Sequence, residues 1–180
     1  MRNGKFTFPL TLCAVFLSLS AVLAARAQKK DYLSAREAAE VRDADTPSDR
    51  IKLFISFAGD RVRKIQYEFE HPSDNTHPAD RINALINNFA SCVDDAADLI
   101  DDGAEKQQEI RPAIKEMQAR APEFLMYLKS LQDQGAKTDD YKENLNDAVE
   151  SVNDALKTAG EAMDVLAPPP VRRKPPDVQH

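Results

Sequence analysis

The stretch TPSDRIKLFISFAGDRVRKIQYEFE, residues 46–70, decides the fold. Its apolar residues Ile51, Phe54, Ile55, Ala58, Val62, Ile65 and Phe69 recur at steps of three and four. That is the period of a helix with one buried face, not the alternation of two that marks a strand. The start is equally legible. Thr46 can accept a hydrogen bond from a first-turn N–H, Pro47 stands where its missing N–H costs nothing, and Asp49 brings negative charge to the positive helix end. Gly59 weakens the helix without ending it. The stop is the turn-forming cluster His71-Pro72-Ser73-Asp74-Asn75.

The same grammar extends in both directions. Upstream, Ser34-Ala35-Arg36-Glu37 matches a capping box and predicts a short helix from Ala35 to about Ala44. Downstream, Thr76-His77-Pro78 opens a helix carrying Ile82, Leu85, Ile86, Phe89, Val93, Ala96 and Ile100, with Gly103 as its C-cap. A third helix falls between Ala104 and Gln134, with Ile110, Ile114, Met117, Ala121, Leu125, Leu128 and Leu131 on one face. Pro112 marks its true start, Pro122 a kink, and Gly135 its end. Thr138-Asp139-Asp140 begins the fourth, which places Tyr141, Leu145, Ala148, Val152, Ala155, Ala159, Met163 and Leu166 in a nearly unbroken heptad rhythm before Ala167 and three prolines. The predicted fold class is therefore all-α: an antiparallel up-down four-helix bundle preceded by a short N-terminal helix. Five glycines and no tryptophan, with 42% hydrophobic and 30% charged residues, agree with helices in water rather than a sheet of many short strands.

The ends of the chain read differently. Residues 1–27 combine Arg2 and Lys5, an apolar stretch from Phe6 to about Leu23, and the small-x-small site Ala25-Arg26-Ala27, the pattern of a cleaved secretory signal. Cys13 lies inside the apolar stretch after Leu12, the wrong context for lipid attachment. Cleavage after Ala27 leaves no stretch able to span a membrane stably, and the expected location is periplasmic or extracellular. Removal of Arg2, Lys5 and Arg26 moves the formal charge from −6 to −9, a field that repels phosphate polymers and excludes nucleic acid as a partner. Only Cys92 survives cleavage, so no internal disulfide is expected. Residues 28–167 form the helical domain. Residues 168–180 carry five prolines interleaved with Arg172, Arg173 and Lys174, and read as a disordered, extended basic tail.

Each candidate site competes with a plainer explanation. Glu68-Phe69-Glu70-His71 is one Glu-x-x-His motif, but a di-iron bundle needs two, and only three histidines exist. His71, Asp74 and His77 are the candidate ligands for a divalent ion, although loop His and Asp residues mostly serve as caps and turns. Asp98, Asp102, Gly103 and Glu109 match four positions of a calcium loop, while Ile100 and Lys106 occupy two ligand positions. Asp94, Asp95, Asp98, Asp101 and Asp102 form a dense acidic face whose repulsion hints at a cationic partner. Cys92 falls on or beside the apolar stripe, a core thiol rather than a reactive one. No nucleophile elbow, haem-attachment motif or glycine-rich phosphate loop is present. No metal, no cofactor and no enzyme activity is assigned.

The run from Asp31-Tyr32-Leu33-Ser34-Ala35-Arg36-Glu37 through Val41-Arg42-Asp43-Ala44, then Pro47, Asp49-Arg50-Ile51-Lys52-Leu53-Phe54, Phe57-Ala58 and Arg61, resembles the opening of uncharacterised exported helical proteins of soil bacteria. The resemblance implies export and helicity and carries no activity, cofactor or catalytic residue. The expected function is a non-catalytic helical interaction module of the bacterial envelope. It would contact a protein or envelope polymer through the Tyr32–Arg50 segment and the basic tail. The alternative is a small-ligand or divalent-metal carrier using the bundle interior or the His71 to His77 turn.

Overall fold

The computed structural model describes residues 32–71, 78–135 and 139–167. The expected signal segment, the ligand candidates Asp74 and His77, and the basic tail lie outside these residues. Among the described residues every regular element is helical and none is a strand. The elements are α1 (Ala35–Asp43), α2 (Pro47–Glu70), α3 (Pro78–Glu105), α4 (Arg111–Gln132), a 3-10 turn (Asp139–Tyr141) and α5 (Lys142–Val165). No helix among them is long and apolar enough to cross a membrane.

The chain divides into two units after Ala38. In the first, the capping box forms as the sequence predicts. Glu37 N–H donates to Ser34 Oγ at 3.2 Å, and Ser34 N–H donates to Glu37 Oε2 at 2.8 Å. The second unit, from Ala39 onward, contains the four long helices.

Four pairs of these helices pack: α2 with α3, α3 with α5, α5 with α4, and α4 with α2. Polar contacts at the helix ends fix their directions. Arg81 near the start of α3 pairs with Glu68 near the end of α2, so these two run antiparallel. Asn144 Nδ2 donates to Asn83 Oδ1 at 2.6 Å and Asn83 Nδ2 donates to the Asp140 carbonyl at 3.0 Å, joining the starts of α3 and α5. Gln107, just past the end of α3, meets Val165 at the end of α5, so this pair is parallel. Gln132 Nε2 at the end of α4 donates to Asn146 Oδ1 at the start of α5, so this pair is antiparallel. The chain passes from α3 into α4 through Lys106 to Ile110, although these two helices are not packed neighbours.

The interior between them is filled by large apolar groups. Phe54, Phe89, Ile51, Ile55, Ile65, Ile86, Ile100, Ile110, Ile114, Met117, Leu128 and Leu145 are all fully buried. Phe89 of α3 and Phe124 of α4 meet edge to face with centroids 5.4 Å apart, bridging the two helices whose backbones do not pack. Edge-to-face rings add to stability beyond their buried area. The apolar stripe of α5 is a strict alternation of four and three: Tyr141, Leu145, Ala148, Val152, Ala155, Ala159, Ala162 and Leu166 are buried.

Several boundaries and stripe positions differ from expectation. Gly103 is not a C-cap: α3 continues to Glu105. Its last turn closes with Gln107 N–H donating to the Ala104 carbonyl and Gln108 N–H to the Gly103 carbonyl. This is the Schellman pattern with Gln107 in the left-handed position at φ 52°. Gly103 serves packing instead, leaving room for Ile110. α4 starts at Arg111 with Pro112 in its first turn and runs uninterrupted through Pro122. Pro122 is exposed, where water can replace a missing backbone bond. Asp139 and Asp140, expected to open the fourth long helix, form a 3-10 turn with Tyr141, which is the N-cap residue of α5. Phe124 and Ala162 take the buried places expected for Leu125 and Met163, which are half-buried. Ala162 keeps the alternating step of four and three from Ala155 and Ala159 to Leu166.

Candidate functional site

The widest concavity among the described pockets lies where α1 ends and α2 begins, facing α4. It holds about 490 Å³ and is lined by Asp43, Ala44, Asp45, Asp49, Lys52, Leu53, Ser56 and Glu116. Local sequence builds its rim. Thr46 Oγ1 accepts from Asp49 N–H at 3.1 Å and donates to the Asp49 carboxylate at 2.6 Å, fixing the first turn of α2. Arg50 Nε donates to the Val41 carbonyl at 3.3 Å and holds the end of α1 against α2. Leu53 and Lys52, half-buried, supply the apolar floor and one cation, and α4 contributes Glu116 from the opposite wall. Four carboxylates face one ammonium group. Such a groove can receive a guanidinium or ammonium side chain, and it is too open to enclose a small molecule.

Two smaller hollows follow. One of about 240 Å³ lies along α2 beside Asp60, Arg63, Lys64, Tyr67 and Glu68, and another of about 130 Å³ lies at Gln132, Gly135, Asp139, Lys142, Leu145 and Asn146.

The sequence candidates are not drawn together. His71 caps the end of α2: its N–H donates to the Tyr67 carbonyl, its Nδ1 lies 3.2 Å from the same oxygen, and its ring stacks on Tyr67 at 4.4 Å. Glu68 of the Glu-x-x-His motif is engaged by Arg81. Asp98 and Asp102 lie within the continuous helix α3, so the segment that matches four calcium-loop positions is helical as far as Glu105. Asp102 pairs with Lys106 at 2.6 Å. Asp94 and Asp95 are half-buried and engaged, while Asp98 and Asp101 are exposed. Among the described residues no three His, Cys, Asp or Glu side chains converge to hold a metal ion. Among the described residues Cys92 forms no disulfide, and it has no exposed surface, on the core side of α3.

Two groups escaped the sequence reading of the helix faces. Arg61 is only 4% exposed and lies over the Phe57 ring at 5.9 Å, and Phe57 itself packs edge-on against Phe54. The spacing 54, 58, 61, 65 places Arg61 on the inner stripe, and Val62, expected there, is half-buried. Tyr127 is also perturbed. Burial, and secondly the negative charge of Glu70, push its phenol up to about 12. Burial and then Asp140 raise the phenol of Tyr141.

No protein-family model matches this chain, and neither does any curated protein or any solved structure.

Proposed function

We propose that this chain is an exported, non-catalytic helical interaction module of the bacterial envelope, working in the periplasm or outside the cell. Its contact surface is the acidic groove of Asp43, Asp45, Asp49 and Glu116, and its partner is a protein segment rich in Lys or Arg. The observation that carries this reading is the groove itself, which gathers four carboxylates from three elements around an apolar floor. The interior supports it from the other side, since it is filled by apolar side chains rather than shaped around a ligand. We also infer that the four long helices form one antiparallel bundle, with alternating directions and a diagonal link between its second and third members.

The test places a photoreactive residue at Ser56 in the groove and, as a control, at Met126 on the outer face of α4, in cells of the native host. A partner crosslinked from position 56 and not from 126, and lost when Asp45 and Asp49 are both changed to Lys, supports the reading. A partner unaffected by that charge reversal removes the groove. Native mass spectrometry of the protein purified from the periplasmic fraction supplies the second arm. A tightly retained metal or small molecule would overturn the interaction module in favour of the carrier.

A further inference from the structure

The end of α5 is tied to the start of α4. Gln107 Nε2 donates to the Val165 carbonyl at 3.1 Å, and Ala167 N–H donates to Gln107 Oε1 at 2.9 Å. Arg111 Nη2 donates to the Leu166 carbonyl at 3.0 Å and to that of Ala167. Residues 168–180 therefore leave from a fixed point beside the first turn of α4.

The acidic groove lies on the same stretch of α4. Glu116, its wall on this helix, follows Arg111 by five residues, about 8 Å along the axis at a rise of about 1.5 Å per residue. Asp43, Asp45 and Asp49 complete the acidic lining, with Lys52 as the one cation. The departing segment carries the opposite charge: Arg172, Arg173 and Lys174 against one acid, Asp177. Its length suffices. An extended chain spans about 3.1 Å per residue, which gives Arg172 to Lys174 a reach of about 15–22 Å from Ala167. Three prolines before Val171 and two after Lys174 leave this segment little conformational freedom to lose on docking. The half-buried Leu53 in the floor suits the aliphatic arm of an arginine. Asp101, Glu105, Glu109 and Asp164 are acids close to the same chain exit, but they stand exposed, where single ion pairs hold weakly.

We propose that residues 171–174 occupy the acidic groove of their own molecule, with Arg172 and Arg173 paired to its carboxylates, so that a basic partner enters only by displacing them. The proposal rests on the reading of the groove as a site for Lys- and Arg-rich segments and names its occupant before a partner arrives. Tethering supplies this occupant at an effective concentration of about millimolar.

A zero-length carbodiimide crosslinker, which joins an amine to a carboxylate in direct contact, tests this on the purified protein without substitution. Lys174 is the one lysine of residues 168–180. The expected product joins it to Asp43, Asp45, Asp49 or Glu116 within one molecule. A mixture of isotopically light and heavy protein identifies products within a molecule. Lys174 joined mainly to Asp101, Glu105, Glu109 or Asp164, to a second molecule, or to nothing overturns the proposal. A peptide of alternating Arg and Gly supplies the second arm. It should bind the variant Arg172→Ser, Arg173→Ser, Lys174→Ser at least about tenfold more tightly than the unaltered protein, because a tethered competitor has been removed. Equal affinities overturn the proposal. The peptide also separates the two failures. Peptide binding that is lost in Asp45→Asn with Glu116→Gln, together with no Lys174 product in the groove, sinks the tail and leaves the groove a basic-segment site. No peptide binding to either protein removes both readings.

Discussion

Ile110 lies across Gly103 so closely that a Cβ at position 103 would stand 2.9 Å from its Cδ1 and 3.1 Å from its Cγ2. Ile110 is fully buried, so neither methyl has room to retreat. Gly103→Ala gains about 1 kcal/mol of helix propensity but overpacks this contact at a cost of about 1–3 kcal/mol. The expected result in urea unfolding is a net loss of stability, recovered in part by adding Ile110→Val. Gly160→Ala meets no neighbour and should instead stabilise by about 0.5–1 kcal/mol.

Gln107 combines strain with a grip, and two substitutions separate them. Gln107→Ala keeps the left-handed backbone and loses the side-chain bonds to Val165 and Ala167. Gln107→Gly loses the same bonds and relieves the backbone. The glycine variant should be more stable than the alanine variant by about 1 kcal/mol, measured by thermal or urea unfolding. Equal stabilities would mean that the positive φ carries no cost.

The four tyrosines can be titrated without interference because the chain has no tryptophan. Tyr127 should ionise near pH 12 and Tyr141 above the ordinary value. Glu70→Gln should lower the Tyr127 value only part of the way, because burial is the larger cause. In the unfolded chain the phenol ionises near its ordinary value of 10.0, below its value in the fold. Between these two values the unfolded state binds fewer protons, so this contribution to stability is complete below pH 10 and is lost as pH rises toward 12. Ultraviolet difference spectra across that range measure both effects.

Thr46 should matter more than its exposure suggests. Thr46→Ala removes the acceptor for Asp49 N–H and the donor to its carboxylate, and should cost about 1 kcal/mol. Thr46→Ser should recover most of it. The same substitution loosens the groove rim, so binding of a basic partner should weaken in the alanine variant and recover in the serine variant.

The helices were legible because each carries an apolar period of three and four, and two of them begin with a local capping device. Thr46-Pro47 and Ser34 with Glu37 are such devices, and the structure uses them as written. Where two residues competed for one place, hydrophobicity misled. Hydrophobicity and size favour Met163 over Ala162 and Val62 over Arg61, yet heptad spacing in the first case and the 54, 58, 61, 65 series in the second point inward. Glycine usually ends helices, but the role of Gly103 depends on Ile110, seven residues on, which tertiary packing brings over it. The acidic groove was half visible. Asp43, Asp45 and Asp49 lie in the segment expected to make contacts, whereas Glu116 joins them only because α4 packs beside α2.

The diagonal link between α3 and α4 also orders the assembly of the chain in time. The ties that seat α5 against α3 and the link after it join residues 57 to 61 positions apart, as in Asn83 with Asn144, whereas Gln132 and Asn146 close the α4–α5 hairpin over 14. The hairpin of α2 and α3 closes over 13, from Glu68 to Arg81. Loop closure is entropically easier for the shorter span, and distant contacts form more slowly. The two hairpins therefore have the shorter searches, and the docking of one on the other, which seats α5 against α3, is the slower step. Until it is complete, the inner faces of both hairpins lack part of their cover, and in that interval a newly made copy is most exposed to aggregation or capture by a chaperone.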